Sequence, residues 1–124
     1  MFRVLFLILV VMTSILLAQT QDNSLPNSQQ KSYIFGEFGK ANDSGVKNQF
    51  EKFDEELKKD FYSQGYIINY GTDKEVAKRE KQLRNSIVFR NYDASRITLV
   101  RGSNNGKLKT VFWIVPRGAE PPTP

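Results

Sequence analysis

Gly65-Tyr-Ile-Ile-Asn-Tyr-Gly-Thr-Asp-Lys-Glu-Val76 is the stretch whose reading decides the fold. Tyr66 to Tyr70 is β-branched and aromatic, as an interior strand requires, and Gly71 ends it. Thr72-Asp-Lys-Glu75 then has the spacing of a capping box, in which Thr72 accepts from the amide of Glu75 while Glu75 reaches back to Thr72. A strand therefore runs directly into a helix. Val76, Leu83 and Ile87, with Ala77 beside them, give that helix an apolar face, and Glu80 interrupts the stripe.

Upstream, Val46, Phe50, Phe53, Leu57 and Phe61 recur at helical spacing behind the capping side chains of Asn42, Asp43 and Ser44. Gly65 stands where a left-handed terminator would end this helix. Before it, Tyr33 to Phe38 reads as a short strand. Downstream, Asp93-Ala-Ser95 reads as a turn, and Ile97, Leu99 and Val100 as a third strand. Asn105-Gly106 is a reversal signal, Leu108 to Val115 a fourth strand, and Pro116 its stop. Strand, helix, strand, helix and a closing hairpin give an α+β fold in βαβαββ order: a mixed four-stranded sheet with both helices on one face.

The flanks divide the rest of the 124 residues. Residues 1–18 read as a signal peptide: Arg3 precedes an apolar run from Val4 to Leu17, shorter than the roughly 20 residues of a membrane-crossing helix, with cleavage expected after Ala18. An uncleaved anchor is the alternative; after cleavage no membrane span is left. Residues 19–32 form a polar spacer with too few apolar side chains to offset the entropy of ordering. Residues 33–116 make the domain, and 117–124 a Pro-rich tail expected to be extended and mobile.

Cysteine and histidine are both absent. That removes disulfides, zinc-thiolate sites, cysteine nucleophiles and proton relays through imidazole, so no enzyme, metal or cofactor is expected. The formal charge of +5 falls to +4 when Arg3 leaves with the signal. Lys78, Arg79, Lys81, Arg84, Arg90, Arg96 and Arg101 crowd the second half, which favours anionic partners. For an exported chain these are cell-wall polymer, headgroups or acidic protein rather than nucleic acid. Phe112 and Trp113 point to opposite faces of their strand, so Trp113 becomes a candidate interaction residue on the face that no helix covers.

The order of a long amphipathic helix, GYIINYGTD (Gly65 to Asp73), a second helix and DASRITLV (Asp93 to Val100) resembles the OmpA-like domain, the peptidoglycan-associating module of bacterial envelope proteins. The likeness covers roughly Phe50 to Val115. It implies a periplasmic or cell-envelope location and a pair of residues that bind diaminopimelate, an aspartate holding its ammonium group and an arginine forking onto its carboxylate. Asp73 falls at the first position and Arg79 nearest the second. The longer segment that family members carry between them, with its glycine, asparagine and leucine-serine pair, is almost wholly missing. Six residues on one helix turn the two side chains roughly 120° apart. Without a ligand, Asp73 would complement the helix N-terminus and Arg79 would be a solvated cation. The alternative function is an exported protein–protein interaction module on the same scaffold, docking through the sheet or the basic helix at Arg84 and Trp113. Oligomeric state is left open.

Overall fold

In the computed structural model, which describes residues 30–124, the chain forms β1 (Tyr33–Phe38), α1 (Asp43–Lys58), β2 (Gln64–Tyr70) and α2 (Asp73–Phe89). A single 3-10 turn at Ala94–Arg96, β3 (Ile97–Arg101) and β4 (Lys109–Val115) follow. This is the α+β fold in βαβαββ order, with a mixed four-stranded sheet. The leader, its expected cleavage after Ala18 and the spacer up to residue 29 lie outside the described residues. No helix among those described is long and apolar enough to cross a membrane.

The sheet order is β1-β4-β2-β3. β4 runs antiparallel to both β1 and β2, while β2 and β3 are parallel. The expected hairpin is therefore absent. The chain does reverse near Gly106, where φ is +85°, but β4 passes β2 and inserts between it and β1. Composition explains the choice: a central strand is enclosed by two neighbours, and Val111, Phe112, Ile114 and Val115 of β4 are all buried. β3, with exposed Thr98 and Arg101, takes the edge.

Period-two alternation sorts the strand residues. Ile67 of β2 and its cross-strand partner Phe112 face the helices and join Val46, Phe50, Phe53 and Leu57 of α1 and Leu83 of α2 in one core. Phe53 stacks on Phe112 with centroids 4.6 Å apart, and each buried ring contributes roughly 1.5–3 kcal/mol. The pairs Tyr66–Trp113 and Ile68–Val111 lie on the other face, as the alternation of Phe112 and Trp113 requires.

Two expectations fail at the end of α1. The helix stops at Lys58, leaving Phe61 outside it and 78% exposed. Gly65 is not its terminator but the second residue of β2, at a place where a Cβ would come within 2.8 Å of the Phe53 ring. Arg96 ends the helix instead. Its guanidinium donates to the carbonyl of Leu57 in the last turn of α1 (2.8 Å) and to those of Asp60 (2.7 Å) and Ser63 (2.7 Å) in the connection beyond it, satisfying a helix-terminal acceptor and holding the exit of the helix. After β4 the Pro-rich segment makes a turn closed by the Ala119 amide on the Pro116 carbonyl. Ser32 then donates to the carbonyl of Glu120.

Candidate functional site

The capping box forms as its spacing predicts. Glu75 N–H donates to Thr72 Oγ1 (3.2 Å), and Glu75 Oε1 accepts from the Thr72 amide (3.2 Å) and hydroxyl (3.0 Å). With the start of α2 fixed, the helical period sets which side chains turn inward: Val76, Arg79, Leu83 and Ser86. The charge within the buried stripe is thus Arg79, not Glu80. Glu80 turns to the β3 side and pairs with Arg101 at 2.9 Å.

Arg79 is 1% exposed, so its reading as a solvated cation does not hold. Its guanidinium donates from Nη1 to Thr110 Oγ1 (2.6 Å), from Nη2 to the Gly39 carbonyl (2.6 Å) and from Nε to Gln82 Oε1 (3.2 Å). The Phe38 ring lies beneath it, 4.6 Å from the central carbon, a cation–π contact. Thr110 in turn donates to Asn69 Oδ1 (2.7 Å), its cross-strand partner. Gln82 donates to Asp43 Oδ1 (2.7 Å) and ties α2 to the start of α1. Asn69 Nδ2 is buried without a hydrogen-bond partner.

These neighbours are neutral. Among the described residues no carboxylate lies within ion-pair distance of Arg79, and burial pulls its pKa below the ordinary guanidinium value. A fixed cation without a counter-charge is costly in a low-dielectric setting, and the arrangement favours any anion that can reach it. A cavity of about 470 Å³ provides the approach. Lys40, Ala41 and Asn42 from the β1–α1 loop, Glu75, Lys78, Arg79 and Gln82 from α2, and Leu108 line it. Three cations and one carboxylate give the lining a positive balance.

Of the four candidate site residues read from the sequence, Asp73, Arg79, Arg84 and Trp113, Arg79 alone reaches this cavity. Asp73, the first residue of α2, is exposed and absent from the lining; its charge is felt by Arg101 on β3, across the helix. Asp73 and Arg79 are not brought together, as their angular separation on one helix requires. Arg84 lies on the outer flank of α2, beside β3. Trp113 is half-buried on the face away from the helices, its indole Nε1 buried and unpartnered.

The acid of the cavity is Glu75, read in the sequence only as a helix cap. Its spacing of four from Arg79 places both on one face, a signal that the residue order itself carries. Lys40, Thr110 and Asn69 have no local signal, because sheet register and a loop bring them in. Comparison of the chain with family models, curated proteins and solved structures gives no match in any of the three.

Proposed function

We propose that this chain is a non-catalytic module of the bacterial cell envelope that holds peptidoglycan weakly through the Arg79 cavity. The observation that carries the reading is a guanidinium, 1% exposed and without a carboxylate partner among the described residues, on the wall of a cavity whose rim holds Lys40 and Lys78. Such a group suits a ligand carboxylate, to which the second N–H of Nη1 and of Nη2, left over from Thr110 and Gly39, can be offered while Lys78 adds a mobile charge. Glu75 is the acid available to the ammonium group of the same ligand, a role for which the OmpA-like likeness points to Asp73. Location in the periplasm or envelope belongs to the same proposal, and it rests on the leader-like N-terminus.

Sedimentation with purified peptidoglycan tests it. Glu75→Gln and Lys78→Ala change polar groups at the rim and should each weaken binding severalfold. Arg79→Gln should abolish it, and Asp73→Ala should leave it unchanged. Free diaminopimelate should compete. Binding indifferent to Glu75, Lys78 and diaminopimelate, but lost in salt, would reduce the interaction to charge attraction and sink the proposal.

A second reading, an exported interaction module, draws on the outer flank of α2, where Arg84 and the edge of the sheet stand open.

A further inference from the structure

On the flank of α2 away from the Arg79 cavity, a groove of about 540 Å³ separates the second half of that helix from β3. Ile87, Ile97 and Leu99 supply its apolar walls, and Arg84 and Val88 stand along the helix side. Val88 is 80% exposed. The ion pair of Glu80 with Arg101 stands one turn before Arg84 on the helix.

β3 is an edge strand, and its backbone is not spent on that side. The Gly102 amide donates to the Asn69 carbonyl (2.8 Å), so alternation directs the polar groups of Val100 and Thr98 toward β2. Those of Leu99 face outward, together with the Ile97 carbonyl and the Arg101 amide. The Ile97 amide is consistent with this phase, since it bonds to Ala94 in the preceding turn rather than to β2. An open strand edge beside an apolar groove under a helix can accept one more strand: main-chain hydrogen bonds supply affinity, and alternate side chains enter the groove.

Charge decides the occupant. Arg84 has no ion pair among the described residues, Lys81 is exposed one turn earlier, and Glu80 is already held by Arg101. A second copy placed edge to edge about a two-fold axis would set Arg84 and Lys81 against their own images, which like-charge repulsion disfavours. An acidic partner meets no such penalty.

We propose that this groove binds an extended segment of a partner protein by strand addition to β3, with an apolar side chain seated between Ile87 and Leu99 and a neighbouring Asp or Glu on Arg84. The proposal is independent of peptidoglycan binding, since α2 stands between the two sites.

The test is to pan a phage-displayed library of random dodecapeptides against the immobilised full chain, then measure the enriched peptides by fluorescence anisotropy. Enriched sequences should alternate apolar with other residues and carry an acid. Both Arg84→Glu and Val88→Lys alter exposed side chains and should leave the circular dichroism spectrum unchanged. Each should weaken binding by about tenfold or more, equivalent to about 1.4 kcal/mol. Bound peptide should slow hydrogen exchange at the Leu99 and Arg101 amides, and Lys78→Ala in the other cavity should have no effect. The proposal is overturned by three results: no enrichment, peptides indifferent to Arg84→Glu and Val88→Lys, or a dimer in sedimentation equilibrium that Val88→Lys dissolves. The last would assign the groove to a second copy.

Discussion

Arg96 performs at one residue what a glycine terminator does elsewhere. Three of its four backbone bonds come from Nη2 alone, to Leu57, Asp60 and Ser63, and the fourth runs from Nε to Ser63 at 3.2 Å. A side chain that sits 33 to 39 residues after its partners thereby ties the end of α1 to the turn that begins β3. Arg96→Met keeps the aliphatic stem and removes the donors, so buried carbonyls lose charge-assisted partners. Denaturant unfolding should report a loss of about 1.5–3 kcal/mol, and one within about 0.5 kcal/mol would mean that water replaces the guanidinium at no cost. Nothing local in DASRI announces this role, since its partners are backbone atoms distant in sequence. The same holds for Arg79. Its inward turn follows from the phase that Thr72 sets, yet a guanidinium in a core stripe contradicts the ordinary preference of charged residues for water, which is why Glu80 reads from sequence as the interruption.

α2 is the element on which both proposed sites depend, and its two flanks are chemically distinct. One carries Glu75, Arg79 and Gln82; the other carries Glu80, Arg84 and Val88. The bond from Arg101 holds the Glu80 carboxyl below the usual glutamate range, and the nearby Arg84 charge adds to the effect. Because the native pKa is depressed, this pair contributes stability above the unfolded value of about 4.3 and loses it as pH falls through the lower native value. Asp60 and Asp93 act in the same direction. Ser63 and the Tyr62 amide bond Asp60, Ser95 bonds Asp93, and both carboxyls are held below the ordinary aspartate range. Thermal unfolding should therefore show the melting temperature of the parent falling below about pH 4.3, and Glu80→Gln should flatten the first part of that fall. An unaltered profile would mean that the Glu80–Arg101 pair adds nothing to folding. The existence of both helices is legible in the residues because capping chemistry and apolar period agree. The end of α1 is not, because Phe61 continues the period by coincidence after the backbone has already turned.

At the scale of the molecule, element order can be read from the sequence but neighbour relations cannot. Asn105-Gly106 promises a tight hairpin, and a local signal of that kind outranks any clue to pairing beyond the next strand. What overrides it is burial: β4 is the most apolar strand and gains most by lying between two others. Gly102, just after β3, leaves room for the Tyr70 ring, since a Cβ there would lie 2.3 Å from it. A chain ended after Gly106 retains both helices in sequence but lacks the strand that joins β1 to β2. It should give no cooperative thermal transition and should bind a dye for exposed apolar surface; a sharp transition would show that β2, β3 and the helices suffice.

β4, the last strand among the described residues, is thus the keystone of the sheet. Until β4 is in place, β1 has no neighbour to zip against, and the two halves of the sheet stay apart. Closing the sheet therefore waits on the pairing of β1 with β4, a contact between segments far apart in sequence and of the kind that forms slowly.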